Sequence, residues 1–250
     1  MKISIITLFP AMLSGFFNES IVQRAQEKKC VDIELVNLRE YAVDTYGSVD
    51  DRPYGGGVGM VLRVEPIYDA LKKLKIKNKK EKIIITTPKG KIYNQKKAYE
   101  YAHLDNLIII AGHYEGIDER VLYYVDEEIS MGNFILTGGE IVAGAITDSV
   151  VRLLPGVLKK ENATYYESFR EVAIDDVVEA VGDDPLLIAL QKKGRMTIRL
   201  LESAHYTRPE LFQTAKVPDI LLSGNHKAIH LWQLKMAYKE TVQKRKDLLE

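Results

Sequence analysis

Two glycine-bearing stretches, twenty residues apart, carry the residue types that most clearly suggest ligand chemistry. They run from Ala111 to Arg120 (AGHYEGIDER) and from Met131 to Glu140 (MGNFILTGGE). Each follows a short apolar or β-prone run and precedes a helical pattern. In α/β proteins such loops gather backbone N–H groups around a ligand at strand ends. Neither contains the dinucleotide-binding fingerprint or a phosphate-loop lysine, which predicts a ligand that is not held by a pyrophosphate.

The second stretch favours a flat heterocyclic ligand. Gly132 on one side and Gly138 and Gly139 on the other bracket the apolar segment Phe134–Leu136. Apolar side chains can cover the faces of a heterocycle while backbone groups bond its edge.

The carboxylates of the first stretch have different expected roles. Glu115 lies between two glycines, where it can meet a cationic group of a ligand. Asp118 can cap the helix that follows, and Glu119 can complement the dipole of that helix. Arg152 and Arg208 are candidate anion binders, although single arginines more often form surface ion pairs.

The densest glycine cluster lies in the segment Pro53–Met60 (PYGGGVGM). Glycine gives this loop backbone freedom and lets a substrate lie directly on the main chain. Charged residues flank the loop and could help it close over a ligand: Asp50, Asp51, Arg52 and Arg63. Two other interpretations remain open: a flexible surface loop, and a nucleotide-binding loop, which would lack the usual Gly-Lys-Ser/Thr ending.

The elements that must position these loops alternate along the first part of the chain. Short β-branched or apolar runs predict four strands: Ile3–Leu8, Val31–Val36, Ile83–Thr87 and Leu107–Ala111. Apolar residues at three-and-four spacing predict helices: Pro10–Phe17, Glu19–Lys28, Val64–Leu74 and Asn94–His103. This alternation predicts an α/β fold with a mostly parallel sheet flanked by helices, and ligand loops at the carboxyl ends of its strands.

The pattern changes after Pro155-Gly156. We predict three regions: a large α/β domain over residues 1–160, an acidic linker over residues 161–185, and a small helical domain over residues 186–250. The linker ends at a turn, Gly182–Pro185. The last domain contains a helical pattern over Leu186–Leu201 and a long helix, capped by Ser223 or Asn225, that runs to about Leu249.

Composition narrows the class of protein. A chain of 250 residues with 46% apolar residues can bury a substantial core. Cys30 is the only cysteine, which excludes an intramolecular disulfide and fits a reducing cytosol. The longest apolar region, Phe134–Leu158, is interrupted by charges, so we expect no membrane span.

The net charge of zero argues against a protein that coats nucleic acid without specificity. The charges are nevertheless uneven, because eleven lysines and one acid, Glu81, lie between Lys72 and Lys97. From Glu161 to Asp184 the sign reverses, with eight acids against one arginine. Both segments can be solvated faces, or the lysines can form a local basic strip for a phosphate backbone.

Six ordered motifs closely resemble those of the bacterial tRNA (guanine-N1-)-methyltransferases, the TrmD family, which modify the guanosine just 3′ of the anticodon. The resemblance begins at Ile3–Pro10 and covers most of the chain. Its motifs are Tyr54–Met60, Gly112–Val121, Ser130–Glu140, Asp148–Leu158, His205–Pro209 and Leu221–His226.

The resemblance implies a SPOUT-class α/β domain with a deep trefoil knot, which binds S-adenosylmethionine in a bent conformation. It also implies an obligate homodimer with the active site at the subunit interface, and a C-terminal domain that holds tRNA. By the family pattern, the following residues contact or shape the cofactor site: Thr86, Thr87, Pro88, Gly112, Tyr114, Glu115, Met131, Gly132, Asn133, Phe134, Ile135, Leu136, Gly138 and Gly139.

The chemistry asks for a base and a positive group. Guanine N1 carries a proton near neutral pH, so its methylation needs a base within hydrogen-bond reach and a cation near the charge that develops on O6. By resemblance the cation is Arg152, and the base belongs to an Asp-Ser-Phe motif. This chain has Glu167-Ser168-Phe169 there, which predicts Glu167 as the base. His113 also departs from the family, which usually has arginine at that position.

Further expectations concern the substrate and a metal. We expect tRNA with a GG step at the anticodon boundary to meet these residues: Tyr54, Gly55, Gly56, Gly57, Glu202, His205, Arg208 and Asn225. Tyr206 and Arg208 have side chains suited to stacking on unstacked bases. The resemblance suggests Mg²⁺, although Glu115, Glu167 and Glu202 show no metal-ligand spacing.

Some alternatives stay open at the level of sequence. The distance from Phe169 to His205 is longer than the family pattern, which predicts an inserted helix within Asp175–Arg199. That insert could contact tRNA through Lys192, Lys193, Arg195 and Arg199, or it could lengthen the linker. A catalytically impaired RNA-binding relative and a phosphate-loop enzyme are the competing functions.

Overall fold

The structure is a computed structural model that describes residues 1–74, 80–160, 164 and 166–249. The chain forms two compact units, Met1–Glu161 and Asn162–Glu250.

The first unit is built on a parallel sheet. Its strands are β1 (Lys2–Thr7), β2 (Asp32–Asn37), β3 (Asp50–Asp51), β4 (Val61–Leu62), β5 (Glu81–Ile92), β6 (Asn106–Ala111) and β7 (Glu127–Ser130). Five of them lie side by side in the order β2-β1-β6-β5-β7, with every neighbouring pair parallel. The short strands β3 and β4 pair antiparallel and carry the glycine cluster between them.

The sheet forms where β-branched residues repeat. In β1, Ile3 and Ile5 belong to one apolar cluster and Ile6 to another. In β6, Ile109 joins the first cluster, and its neighbours on either side join the second. Alternating side chains point to opposite faces of a strand, so both faces of the sheet are buried.

Helices cover both faces. They are α1 (Pro10–Phe17), α2 (Ser20–Glu27), α3 (Val64–Leu74), α4 (Gln95–Ala102) and α5 (Glu140–Val151), with short 3-10 helices at Leu38–Tyr41 and Glu119–Tyr124. Residues of α1, α2, α4 and α5 pack in the first cluster, and residues of α3 and the two 3-10 helices pack in the second. The predicted α/β fold with a mostly parallel sheet is confirmed.

Two features of the sheet differ from the sequence prediction. Strand β5 continues beyond Thr87 to Ile92, because Gly90 has no side chain to strike the backbone of Glu128 and Ile129 on β7. Strand β7 itself was not among the predicted strands. Its acidic Glu127 is held by Lys82 of β5 and Lys97 of α4.

The second unit mixes helices with short strands. Its elements are β8 (Arg170–Ala173), α6 (Ile174–Val181), α7 (Pro185–Lys192), β9 (Thr197–Leu200), β10 (Leu211–Phe212), β11 (Ala215–Lys216), α8 (Asp219–Leu222), α9 (His226–Lys244) and a 3-10 helix at Lys246–Leu249. Strand β8 pairs antiparallel with β9, and β10 pairs antiparallel with β11.

The acidic linker prediction for residues 161–185 is wrong where the structure describes that segment. Residues 170–181 form β8 and α6, and Ile174 and Val177 are buried in the core of the second unit. The acids Asp175 and Asp176 lie in the first turn of α6, where negative charge suits the helix dipole. Because acidic residues are so frequent in this segment, the apolar face of α6 is a weak signal in the sequence.

The prediction of a wholly helical last domain also needs correction. The pattern over Leu186–Leu201 divides into α7 and β9, separated by Gly194 with a positive φ of 78°. The predicted turn before it is present. Asp184 accepts backbone hydrogen bonds from Leu186 and Leu187 and caps α7.

The final helix begins where its cap was expected. Asn225 Oδ1 accepts a hydrogen bond from the backbone N–H of Ala228 at 3.1 Å. Helix α9 ends at Lys244, and the chain then turns into the 3-10 helix that ends at Leu249. None of the helices in the described ranges is long and apolar enough to cross a membrane.

Candidate active site

A pocket of about 450 Å³ opens at the carboxyl ends of β6 and β7, beside the middle of β5. The loops that follow β6 and β7 supply most of its walls, and residues Ile85–Lys89 within β5 supply much of the rest. Of the residues expected at a cofactor site, all but Asn133 line it: Thr86, Thr87, Pro88, Gly112, Tyr114, Glu115, Met131, Gly132, Phe134, Ile135, Leu136, Gly138 and Gly139. The parallel sheet therefore brings together three segments that are far apart in sequence.

Two of the pocket loops are joined through their backbones. Gly139 donates its N–H to the carbonyl oxygen of Gly112 at 2.7 Å. A side-chain carbon at Gly139 would overlap Thr86 Oγ1 and lie 2.9 Å from the backbone nitrogen of Gly112. Thr86 is itself fixed by a hydrogen bond from its hydroxyl to the carbonyl oxygen of Ile110 at 3.2 Å. Glycine is required here because the backbones of two loops and the Thr86 side chain meet at one point.

The Gly112 loop folds back tightly. Tyr114 has a φ of 60° and Gly116 a φ of 134°, so the chain reverses within three residues. Asp118 accepts a hydrogen bond from the backbone N–H of Arg120 at 2.9 Å and begins the 3-10 helix, as predicted. Hydrogen bonds from the Arg120 guanidinium hold the pKa of the Asp118 carboxyl below its usual value.

The Met131 loop supplies the apolar wall. Its three apolar residues Phe134, Ile135 and Leu136 remain exposed, and Ile135 is the most open of them at 80%. The hydroxyl of Ser130 accepts a hydrogen bond from the N–H of Gly132 at 3.2 Å, which starts the turn. An open apolar wall beside polar backbone suits a flat ligand with a hydrogen-bonding edge.

The glycine cluster at the tip of the β3–β4 hairpin adjoins the Gly112 loop. The backbone N–H of Glu115 donates to the carbonyl oxygen of Met60 at 3.1 Å, and that of Leu62 donates to Gly116 at 3.0 Å. Gly59 has a φ of 87°, and a side-chain carbon there would overlap the Glu115 side chain. Tyr54, at the tip, is fully exposed.

In the second unit, two sequence motifs meet. The backbone N–H of Glu202 donates to Ser168 Oγ at 3.1 Å, which joins it to the Glu167-Ser168-Phe169 segment. The carboxylate of Glu202 lies 3.2 Å from His205 Nε2. Phe169 has a φ of 72° and donates its N–H to Leu200 at 2.7 Å. The β8–β9 pair therefore positions the candidate base beside the candidate substrate residues Glu202 and His205.

A sequence model of the tRNA (guanine-1)-methyltransferase TrmD family matches residues 1–180 and 189–250. The chain is 45% identical, over 252 aligned positions, to proteins named tRNA (guanine-N(1)-)-methyltransferase from Bacillus cereus strain AH820, Bacillus anthracis strain CDC 684 and Bacillus thuringiensis subsp. konkukian. The alignments cover 100% of this chain and 92% of each relative. The chain belongs to the TrmD family.

The TrmD model leaves out residues 181–188. These residues hold the end of α6, the turn at Gly182 and the first half of α7. The segment lies within Asp175–Arg199, where the sequence predicts an inserted helix. Asp184, in this segment, also accepts a hydrogen bond from the Tyr238 hydroxyl of α9 at 2.8 Å, so the segment is tied into the core of the second unit.

The two candidate catalytic residues of this TrmD-family chain belong to different units. Arg152 is half-buried at the C-terminal end of α5 and does not line the pocket. Glu167 is half-buried in the second unit, ahead of β8. Arg208 and Tyr206 are exposed, and the side chain of Asn225 is used as the cap of α9.

Sequence reasoning missed several pocket residues. Lys89, His113 and Thr137 line it together with Glu119 and Glu128. Lys89, His113 and Thr137 each lie beside a glycine or proline, which is the stronger signal in the sequence. His113 stands out, since its ring lies 4.7 Å from that of Phe9 and 5.3 Å from that of Tyr114.

The lysine-rich segment is partly neutralised. Lys82 and Lys97 both contact Glu127, and Lys89 contacts Glu119 at 3.3 Å. Lys75, Lys77 and Lys79 lie outside the described residues. In the parts of the segment that are described, the charges of Lys82, Lys89 and Lys97 are therefore compensated by acids.

Proposed function

We propose that the protein transfers a methyl group from S-adenosylmethionine to N1 of the guanosine at position 37 of tRNA, next to the anticodon. The observation that carries this proposal is the pocket. It gathers nearly all residues that the family resemblance implies for the methyl donor, in a chain that belongs to a methyltransferase family.

The pocket suits S-adenosylmethionine on chemical grounds. Ile135 and Leu136 offer apolar surface for the adenine ring, and the backbone of the two loops that line the pocket can offer edge contacts. The Glu115 carboxylate lies in the same wall, where it can face a positive group of the ligand. No lysine-bearing phosphate loop is needed for such a ligand.

The proposed chemistry divides between a base and a cation. S-adenosylmethionine supplies an electrophilic methyl group on its sulfonium sulfur. The Glu167 carboxylate takes the proton of guanine N1, and the N1 electron pair then forms the new bond to the methyl carbon. The carbon–sulfur bond breaks with its electrons going to sulfur, which leaves S-adenosylhomocysteine. The Arg152 guanidinium stabilises the negative charge that develops on guanine O6.

We assign the tRNA contacts to two regions. Glu202, His205 and Arg208 of the second unit would hold the anticodon stem-loop, and the exposed Tyr54–Gly57 tip would lie against the flipped guanosine. The hydrogen bond between Glu202 and Ser168 supports this assignment, since it keeps the candidate base next to the candidate substrate residues.

We further propose that the protein acts as a cytoplasmic homodimer whose active site lies at the subunit interface, with the pocket loops threaded as a deep trefoil knot. The family resemblance supports all of these features. An apolar surface supports the dimer in addition: Met12 and Phe16 of α1 and Ile141 of α5 are each exposed by about half, at 51%, 48% and 59%. Helix α1 packs against α5, and exposed apolar residues on neighbouring helices are typical of protein interfaces.

Mg²⁺ is given no step. In the described ranges no group of three or more His, Cys, Asp or Glu side chains could hold a metal ion. No residues are therefore assigned to the Mg²⁺ that the family resemblance suggests, and the mechanism is written with Glu167 and Arg152.

The test is a pair of measurements on the full chain. Calorimetric titration is expected to show binding of S-adenosylmethionine and none of ATP, and label from S-adenosylmethionine is expected to pass to undermodified tRNA. Binding of ATP would favour a phosphate-loop enzyme. Binding of both S-adenosylmethionine and tRNA without transfer would favour a catalytically impaired RNA-binding relative.

A further inference from the structure

Glu140, the first residue of α5, carries a deeply buried carboxylate that the proposed chemistry does not use. Its side chain is 1% exposed. Burial of a carboxylate is costly unless partners compensate it, so its surroundings indicate what it does.

One oxygen of this carboxylate is joined to the end of β1. The hydroxyl of Thr7, which is fully buried, donates to Glu140 Oε1 at 2.8 Å. The same hydroxyl oxygen accepts the backbone N–H of Phe9 at 2.9 Å. Thr7 thus links the start of α5 to the turn that leads into α1.

The other oxygen faces the Gly112 loop. Glu140 Oε2 lies 3.5 Å from His113 Nδ1, and among the described residues neither atom has a hydrogen-bond partner. A side-chain carbon at Gly138 would overlap both atoms. The absence of a side chain at Gly138 therefore lets an acceptor and a nitrogen face each other in a buried space.

This pair spans the two loops that form the pocket. His113 stands between Gly112 and Tyr114, and Gly138 pairs with His113 as an antiparallel bridge. The neighbouring backbone bond from Gly139 to Gly112 crosses between the same loops. A change in the His113–Glu140 contact would alter the spacing of both walls.

We propose that Glu140 is a positioning residue for the methyl-donor pocket. Its carboxylate accepts hydrogen bonds from Thr7 Oγ1 and from His113 Nδ1, and so holds the Gly112–Tyr114 segment against Gly138. The inference rests on the proposed function, in which this pocket binds S-adenosylmethionine. It assigns His113 the tautomer that carries hydrogen on Nδ1.

The first test is the affinity of the full chain for S-adenosylmethionine, measured by calorimetry and expressed per folded molecule. Glu140→Gln and His113→Gln are each expected to weaken this affinity about tenfold, the scale of a lost charge-assisted hydrogen bond. The KM for tRNA is expected to stay within about twofold, and the two substitutions together are expected to cost less than the product of their separate effects.

Thr147→Val is the matched control, because Thr147 lies on the same helix, is fully buried and has no hydrogen-bond partner for its hydroxyl among the described residues. It is expected to leave the affinity unchanged. Unchanged affinity in both His113→Gln and Glu140→Gln would overturn the proposal, and so would a loss in Thr147→Val of the same size as theirs.

The second test does not depend on the methyl donor. Nitrogen NMR of the histidine rings, with His113 assigned by its loss in His113→Gln, is expected to show hydrogen on Nδ1. A ring with hydrogen on Nε2 alone would overturn the proposal even if Glu140→Gln fails to fold. If the wild-type protein binds no S-adenosylmethionine, the proposed function fails, while this spectrum still decides whether the His113–Glu140 hydrogen bond exists.

Discussion

Gly139 and Gly112 are joined by a 2.7 Å hydrogen bond between the N–H of the first and the carbonyl oxygen of the second. Gly112 begins the loop that follows β6, and Gly139 ends the loop that precedes α5. Their close approach fixes the width of the pocket. Thr86 Oγ1 fills the remaining space beside them. The pocket is therefore defined by backbone positions more than by long side chains.

Gly139→Ala should damage this junction. The added carbon would overlap Thr86 Oγ1, and overpacking of this kind typically costs about 1–3 kcal/mol of stability. A loss of binding free energy of the same size corresponds to about a fivefold to 150-fold loss of ligand affinity. Calorimetry with S-adenosylhomocysteine measures the effect. Gly15→Ala is the control, since its new carbon would meet nothing within 4 Å and it lies within α1. Normal affinity in Gly139→Ala would mean that the junction does not shape the binding site.

Glu167→Gln should separate binding from chemistry. Removing the proposed base is expected to lower the rate of methyl transfer by about 10²- to 10⁴-fold, while affinity for S-adenosylmethionine stays normal. Single-turnover kinetics at saturating tRNA measure the rate. Near wild-type transfer would reject Glu167 as the base, and Glu171→Gln, a change of an exposed acid in the same segment, serves as the comparison.

Asn225 gives a direct choice between two roles. As the cap of α9, Asn225→Ala should destabilise the second unit by about 1 kcal/mol, and Asn225→Ser should restore most of this stability because serine also caps helices. Chemical denaturation measures both. If the side chain instead contacts tRNA, Asn225→Ser will unfold like the wild type and still show the raised KM for tRNA found in Asn225→Ala.

Glu127 should make the first unit sensitive to acid. Burial raises the pKa of its carboxyl, but hydrogen bonds from Lys82, Lys97 and Tyr101 outweigh burial and lower the pKa to about 2. Because the folded-state pKa lies below the unfolded value, the stabilisation is complete above about pH 4.5 and is lost as the pH falls toward 2. Its size is on the order of 3 kcal/mol.

The measurement is urea unfolding of Glu127→Gln and wild type between pH 7 and pH 3. The difference in unfolding free energy should shrink as the pH falls below about 4.5. Glu100→Gln removes a more exposed partner of Lys97, 3.0 Å away, and should cost less than about 1 kcal/mol. A difference between Glu127→Gln and wild type that does not depend on pH would contradict the assignment.

The sequence could predict the parts of the fold that local patterns determine. Strands β1 and β6 are rich in isoleucine, and helices α1 and α3 show helical spacing of apolar residues. The sequence therefore predicts the bounds of these four elements to within a residue or two. Strand β7 could not be predicted in this way. Its Glu127 is compensated by Lys82 and Lys97, which are distant in sequence.

In the second unit, local sequence patterns failed to predict the strand β8 and the helix α6. Charge density predicted a linker over residues 161–185, whereas Ile174 and Val177 meet a core contributed by Leu187, Leu200 and Leu234. Two buried positions in a short acidic helix are a weak signal until their partners are known. Those partners come from α7, β9 and α9, which all lie later in the chain.

The sequence predicts the pocket residues that must be glycine. It does not predict the side chains that pair across two loops. Gly112, Gly138 and Gly139 could be identified, because close backbone approach leaves a mark in the sequence. The contact between His113 and Glu140 has no such signal in the sequence. Each residue has an ordinary local explanation, and only the three-dimensional fold brings their atoms to 3.5 Å.

The central claim, that the protein methylates guanine N1 next to the anticodon, is tested most directly by the position of the methyl group. Unmodified tRNA with a GG step at the anticodon boundary, and the same tRNA with adenosine at position 37, would be incubated with the protein and S-adenosylmethionine and then digested for mass spectrometry of the nucleosides. The account predicts N1-methylguanosine at position 37 of the first tRNA and no methylation of the second. Equal methylation of both tRNAs, or a methyl group at another position of the first, would contradict it.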